Sequence, residues 1–160
     1  MKKAVFLLAA MLILPARAAN DASLTRMALC RDSWMDWSKS DPARMKAFAG
    51  RVRAQFSPHG NDAYMLPKAK MSVMGLRVLQ AFPQSVGTGV GFSLTVDAGF
   101  GVARKAVENA LGKALQHCES SDGMESCTLE VAPQRTITLM AEDTPKNRQT
   151  LIGCYYLYER

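Results

Sequence analysis

The sequence has few of the side chains that carry catalysis or bind metals. Histidine occurs only as His59 and His117, and no two of the four cysteines have the short spacing of a zinc ligand pair. A serine hydrolase would need one histidine beside a reactive serine. His59 falls among helix-breaking residues, and His117 ends a predicted helix, where capping is the expected role. We therefore predict no catalytic residue, no metal site and no cofactor.

Clustered positive charge is also absent. The formal net charge is +6, and removal of a leader that contains Lys2, Lys3 and Arg17 leaves +3. A charge this small, without a basic run, does not form the electrostatic footprint of a nucleic-acid-binding protein. We expect no nucleic-acid partner.

The chain lacks an apolar run long enough to cross a membrane. The longest run, residues 4–14, has eleven residues, whereas a spanning helix needs about 20. Lys2 and Lys3 precede the run, and Pro15 and Ala16-Arg17-Ala18 follow it, which is the pattern of a cleavable export signal. An uncleaved anchor is the alternative, and the short run disfavours it.

The leader pattern sets the expected processing and compartment. We predict a signal peptide at residues 1–18 and one domain at residues 19–160, without a membrane span after cleavage. No cysteine follows the cleavage site directly, as one would in a lipoprotein, since the nearest is Cys30. The mature protein is expected to be periplasmic or secreted.

Four cysteines in an exported chain predict two disulfides. Cys118 ends a predicted helix and Cys127 begins the next strand after one turn, so we expect these two to pair. Cys30 then pairs with Cys154 and ties the first helix to the last strand. Two buried free thiols are the alternative, which an oxidising compartment disfavours.

Apolar residues repeat with helical spacing in three segments. The segments are residues 23–38, 42–56 and 102–117, and the third has the clearest apolar stripe. In the first, Trp34 and Trp37 share a face with Cys30, which is typical of core packing. Ser38-Lys39-Ser40 separates the first two helices.

Alternating residues predict five strands. The clearest is residues 86–96, and the others lie near residues 74–82, 127–131, 136–140 and 150–158. Short turns between neighbouring strands favour antiparallel pairing. The predicted fold is two-layer α+β, a mainly antiparallel five-stranded sheet covered by helices, in the order ααββαβββ.

The strand at residues 86–96 carries glycines on one face. Gly87, Gly89 and Gly91 lack the spacing of a phosphate-binding loop, and no helix opens after them. Ser93 stands inside the strand rather than in the sharp turn of a nucleophile elbow. The glycine face is therefore interpreted either as a site of close packing or as a flat binding surface.

Methionine offers one alternative chemistry. Met71 and Met74, with Met65 and His59 upstream, have thioether and imidazole groups suited to Cu(I). Methionine more often fills the core. A Cu(I) carrier using Met71 and Met74 stays an alternative to the main interpretation.

The end of the sequence is the best candidate for a contact surface. Tyr155, Tyr156, Tyr158 and Arg160 crowd the last strand, and tyrosine and arginine are enriched at protein interfaces. We predict a small non-catalytic envelope protein that binds another envelope or secreted protein, with inhibition or neutralisation as the candidate mode. A periplasmic enzyme without a recognisable motif is the other alternative.

Overall fold

The computed structural model describes residues 16–32, 42–86, 89–142 and 148–157, and these contain three helices and nine strands. The helices are α1 (Ala16–Ala28), α2 (Pro42–Gln55) and α3 (Phe100–Leu111). The strands are β1 (Phe56–Pro58), β2 (Met65–Pro67), β3 (Ser72–Val73), β4 (Leu76–Val86), β5 (Gly89–Asp97), β6 (Gln116–Ser121), β7 (Met124–Ala132), β8 (Arg135–Glu142) and β9 (Gln149–Leu157).

The predicted α+β class is confirmed, but the strand number and the element order are wrong. The sheet has nine strands rather than five, with the order β1-β2-β4-β5-β9-β8-β7-β6 and with β3 paired to β4 beside this path. Three of the additional strands, β1 to β3, have only two or three residues, too few for an alternating pattern to be recognised.

The sheet is antiparallel throughout the described pairs, and its connections place the last strand near the middle. After β5, helix α3 carries the chain to β6 at the far edge. The chain then returns by hairpins through β7 and β8, and β9 fills the position between β8 and β5. Strand β9 therefore joins the two halves of the sheet.

The three helices cover one face of the sheet, which we call the inner face. Phe92 on β5 contacts Phe48 of α2 edge-on at 5.5 Å between ring centroids. Cys154 on β9 is bonded to Cys30 just after α1, and the Arg31 guanidinium donates to the main-chain carbonyl of Ala110 in α3 at 2.6 Å. The inner face is fully buried at the centre of the sheet, at Phe92, Leu94, Ile137, Leu139, Ile152 and Cys154. We call the opposite side the outer face.

The first helix ends earlier than predicted. Helix α1 stops at Ala28, and Cys30 has a left-handed backbone with φ of 55°. This turn takes the chain out of the helix and brings the Cys30 side chain to Cys154. Residues 33–38 of the predicted helix, with Trp34 and Trp37, lie outside the described residues.

The third helix is also shorter than the predicted range of 102–117. It ends at Leu111, where Gly112 adopts φ of 71° and its N–H donates to the carbonyl of Glu108. Left-handed glycine is a common helix terminator. The Glu108 carboxylate then accepts from the Leu115 N–H at 3.0 Å and holds the turn towards β6. His117 and Cys118 consequently lie on an exposed edge strand rather than at a helix end.

The two predicted disulfide pairs are present. Cys30 is bonded to Cys154 and Cys118 to Cys127, across 124 and 9 positions of sequence. The shorter bridge links the neighbouring strands β6 and β7 rather than a helix and a strand. Two disulfides are typical of proteins in an oxidising compartment outside the cytoplasm. None of the helices in the described ranges is long and apolar enough to cross a membrane.

Candidate functional site

The outer face of the sheet carries a row of aromatic side chains at the β1 edge. His59 stacks on Tyr64 with ring centroids 5.1 Å apart and an interplanar angle of 25°. Tyr64 contacts Phe82 at 6.0 Å. Met65 on β2 and Ala81 on β4 are paired and buried on the inner face. Tyr64 precedes Met65 and Phe82 follows Ala81, so their side chains point to the other face. The row therefore lies on the side opposite the helices.

The hydroxyl of Tyr64 stays protonated within this row. Desolvation raises the pKa of the Tyr64 hydroxyl above its usual value, and the carboxylate of Asp62 raises it further. An ordinary tyrosine is already a neutral phenol around neutral pH, and the raised pKa extends the range in which Tyr64 keeps its proton. Asp62 also lies 4.0 Å from the imidazole of His59, which places one acidic group at the end of the row.

The Tyr155 ring covers Gly91 of β5 and Gly153 of β9. A Cβ atom at Gly91 would lie 2.6 Å from Cε1 of Tyr155, and one at Gly153 would lie 2.5 Å from its Cε2. The ring is therefore stretched over two glycines on neighbouring strands. Gly89 and Gly91 are buried, so this part of the glycine face is closely packed rather than flat and bare. Gly87 lies outside the described residues.

Exposed apolar side chains lie on the outer face on both sides of Tyr155. Leu66 on β2 is 36 % exposed and Met140 on β8 is 39 % exposed, which makes them two of the four large hydrophobic residues most open to solvent in the described chain. Leu151 on β9 is opposite Met140 and is half-buried. No described helix packs over these residues.

Charged groups on the outer face stand near the ends of strands. Arg77 and Asp97 form an ion pair of 3.5 Å at one end of β4 and β5. The register places Glu130 and Glu142 on the outer face towards the ends of β7 and β8. The centre of the outer face is thus aromatic, aliphatic and neutral polar, with a charged rim.

The expectation that Tyr156 belongs to the contact surface is wrong. Tyr156 is 2 % exposed and lies on the inner face, because it shares its side of β9 with Cys154. Its hydroxyl donates to the main-chain carbonyl of Asp32, and the guanidinium of Arg135 lies 5.5 Å from its ring centroid. Of the four predicted contact residues, Tyr155 is half-buried on the outer face, and Tyr158 and Arg160 lie outside the described residues.

The residues weighed for catalysis do not come together. Ser93 is fully buried, and its Oγ has no hydrogen-bond partner among the described residues. His59 follows β1 and His117 lies on β6, at opposite edges of the sheet. No group of three or more His, Cys, Asp and Glu side chains that could hold a metal ion occurs in the described ranges.

The methionines weighed as Cu(I) ligands are packed into the protein. Met65 and Met71 are buried in the hydrophobic core, and Met74 packs against it. Met74 has φ of 51°, and its N–H donates to the Thr25 hydroxyl of α1 at 3.4 Å. These positions are those of core residues that join α1 to the β3–β4 hairpin.

Phe82, Tyr64 and Leu66 are contact candidates that the sequence did not single out. Residues 63–72 have no clear period, so Tyr64 and Leu66 could not be assigned to a face. Phe82 ends the alternating run of residues 74–82, and the run by itself does not assign Phe82 to a face. The sequence does contain one indication of the contact face. Ala81 and Phe82 are adjacent in one strand, so their side chains lie on opposite faces of the sheet.

Comparison of the chain with protein-family models, with curated proteins and with solved structures gave no match.

Proposed function

We propose that this chain is a non-catalytic binding protein of an extracytoplasmic compartment and that it binds another envelope or secreted protein through the outer face of its sheet. One observation carries the proposal. All three described helices lie on the inner face, and the outer face presents Leu66 and Met140 to solvent beside the aromatic row of His59, Tyr64 and Phe82.

The distribution of side chains on this face supports binding to a protein. Protein interfaces have a centre enriched in aromatic residues and methionine and depleted of charge, surrounded by a polar rim. The outer face has that arrangement, with Tyr155 and Phe82 near the centre and with Glu130 and Glu142 at the rim. The expected partner presents a complementary apolar patch with a polar border.

The scaffold is suited to this role because it is rigid. The Cys30–Cys154 bridge fixes α1 to the central strand β9, and the Cys118–Cys127 bridge fixes the edge strand β6. A surface that is already ordered loses less entropy when a partner docks. Export by way of the leader at residues 1–18 would deliver the chain to a compartment where these bridges form.

The proposal is tested by partner capture with residues 19–160 as bait in an envelope extract, followed by affinity measurement on the purified partner. Leu66→Asp and Met140→Asp place a charge on the outer face at positions that are already open to solvent. Each should weaken binding about tenfold or more, the effect of a disrupted interface centre.

Val102→Asp is the matched control. Val102 is 62 % exposed on α3, on the helical side of the molecule. It should bind the partner as the unaltered chain does. If the outer-face variants bind normally, or if Val102→Asp alone abolishes binding, the outer face is not the contact surface. Turnover of an envelope substrate that is lost in Ser93→Ala would instead identify an enzyme.

A further inference from the structure

An apolar groove lies on the inner side of the sheet, between α2 and the ends of four strands. Its volume is about 410 Å³. One wall is formed by Met45, Ala49 and Val52 of α2, and the other by Met65, Pro83 and Val90. The groove is separate from the outer face, because α2 packs on the inner face.

The groove is open to solvent although its lining is apolar. Met45 is 46 % exposed at its rim, and the two prolines that line it, Pro58 and Pro83, are exposed as well. A soluble protein rarely leaves a concave apolar surface of this kind open unless something binds there. The volume falls in the range of about 300–1,000 Å³ that is usual for small-molecule sites.

Positive charge stands at one end of the groove. Arg53 is the only charged residue among its described lining residues. Met45, Ala49 and Arg53 follow each other at intervals of four on α2, so the apolar stripe ends at the guanidinium. The ammonium group of Lys68 donates to the main-chain carbonyl of Arg53 at 2.6 Å, so Lys68 lies beside the same end of α2 but outside the described lining of the groove.

The surroundings of the groove have the same sign of charge. Helix α2 contains Arg44, Lys46, Arg51 and Arg53 and no acidic residue. Arg51 is paired with the carboxylate of Asp32, on the side of the helix away from the groove lining. A ligand that fits here has one apolar chain and a negative end.

We propose that this groove binds a free single-chain anionic amphiphile of the long-chain carboxylate class. The hydrocarbon chain lies along Met45, Ala49 and Met65, and the carboxylate is held at Arg53. Burial of the apolar chain drives binding, and the guanidinium of Arg53 selects the charged head group. The concave shape holds one chain, whereas a bilayer surface would need a protruding apolar face.

The test is calorimetric titration of the disulfide-bonded chain with dodecanoate below its micelle concentration. Dodecanol and dodecylammonium serve as neutral and cationic probes with the same tail. Dodecanoate should bind with one site per chain and at least tenfold more tightly than dodecanol. Dodecylammonium should not bind, because Arg53 repels it.

Three variants locate the ligand. Ala49→Phe fills the groove and should abolish dodecanoate binding. Met45→Glu alters an exposed side chain, so it leaves the fold intact, and it should abolish dodecanoate binding by repulsion. Arg53→Gln should weaken dodecanoate about tenfold and leave dodecanol unchanged, as expected for the loss of one charged contact. Lys105→Gln on α3 is the matched charge control, and circular dichroism verifies folding.

Three results would overturn the proposal. The first is equal affinity for dodecanoate and dodecanol with no effect of Arg53→Gln, which would leave a groove without head-group recognition. The second is no binding of any probe to the folded chain. The third is binding to phosphatidylglycerol vesicles that Ala49→Phe does not reduce and dodecanoate does not compete, which would make α2 a bilayer-binding helix. Failure of the outer-face experiment leaves this proposal standing, since the two surfaces are altered by different variants.

Discussion

The hydroxyl of Tyr156 donates a hydrogen bond to the main-chain carbonyl of Asp32, and this contact joins the central strand β9 to the segment after α1. The Asp32 carboxylate meanwhile receives Arg26 of α1 at 2.8 Å and Arg51 of α2 at 3.4 Å. Two residues earlier, Cys30 is bonded to Cys154 on the same face of β9 as Tyr156. The end of α1 is therefore fixed to the sheet by a covalent bond and a hydrogen bond.

Replacing Tyr156 should reduce stability rather than surface binding. Tyr156→Phe removes the hydroxyl and leaves the Asp32 carbonyl without that donor, which should cost about 1 kcal/mol. Tyr156→Ser also empties a buried volume and should cost about 3–5 kcal/mol. Urea unfolding of the oxidised chain measures both values. A Tyr156→Ser protein as stable as the unaltered chain would show that this side chain is on the surface.

The two disulfides should contribute unequally to stability. In the chain-entropy model, the bridge across 124 positions contributes about 5 kcal/mol and the bridge across 9 positions about 2.6 kcal/mol. The double variant Cys30→Ala/Cys154→Ala should therefore unfold at lower urea than Cys118→Ala/Cys127→Ala. The opposite order would show that loop-closure entropy does not dominate the contributions of these bridges.

Accessibility should decide which disulfide is reduced first. Cys118 is exposed on the edge strand β6, whereas Cys30 and Cys154 are both buried. A thiol reductant must reach a sulfur atom before exchange can occur. Under native conditions, dithiothreitol should release Cys118 and Cys127 for alkylation well before Cys30 and Cys154. Mass spectrometry of the alkylated peptides over time would show the order.

Glycine substitutions should separate close packing from backbone freedom. A Cβ at Gly91 or Gly153 overlaps the Tyr155 ring, so Gly91→Ala and Gly153→Ala should each cost about 1–3 kcal/mol. Gly50 in α2 has no atom within 4 Å of an added Cβ. Gly50→Ala should therefore stabilise the protein by about 0.5–1 kcal/mol. Thermal unfolding of the three variants tests this, and equal midpoints would argue against the position of the Tyr155 ring.

Glu108 should stabilise the protein in a pH-dependent way. Its side chain accepts hydrogen bonds from Arg104 and from the Leu115 N–H, and these lower the pKa of the carboxyl below its usual value. A carboxyl whose pKa falls on folding stabilises the folded state above its unfolded pKa, and this contribution is lost as the pH falls through the folded pKa. The Tm difference between the unaltered chain and Glu108→Gln should be constant near neutral pH and shrink below about pH 4.5. A constant difference down to strong acid would contradict this role.

Elements with a long and regular period were predictable from the sequence. The predicted helix at residues 42–56 agrees with α2 to within one residue. Pro42 begins the helix, and Phe56, directly after Gln55, begins β1. The strand at residues 86–96 corresponds to β5, and the start of α3 was placed within two residues. The end of α3 was missed because Ala114 and Leu115 continue the apolar stripe, whereas Gly112 and Glu108 end the helix.

The contact face could be predicted only in part. Alternation correctly places Tyr155 and Tyr156 on opposite sides of the last strand, but it does not say which side meets the helices. The predicted Cys30–Cys154 bridge identifies that side. Tyr156 is two residues after Cys154 on the same strand, so both side chains face α1. The aromatic row could not be found in this way, because it depends on pairing between the very short strands β1 and β2.

The central position of β9 determines the order in which the molecule can be assembled. Strands β4 and β5 form one group and β6 to β8 another, and only β9 hydrogen-bonds to both. Helix α1, near the start of the sequence, also needs β9 for its covalent attachment. A chain emerging in sequence from a ribosome or a translocation channel would hold two unjoined half-sheets until its last described strand appears. The sheet and the long disulfide can therefore be completed only once β9 is available.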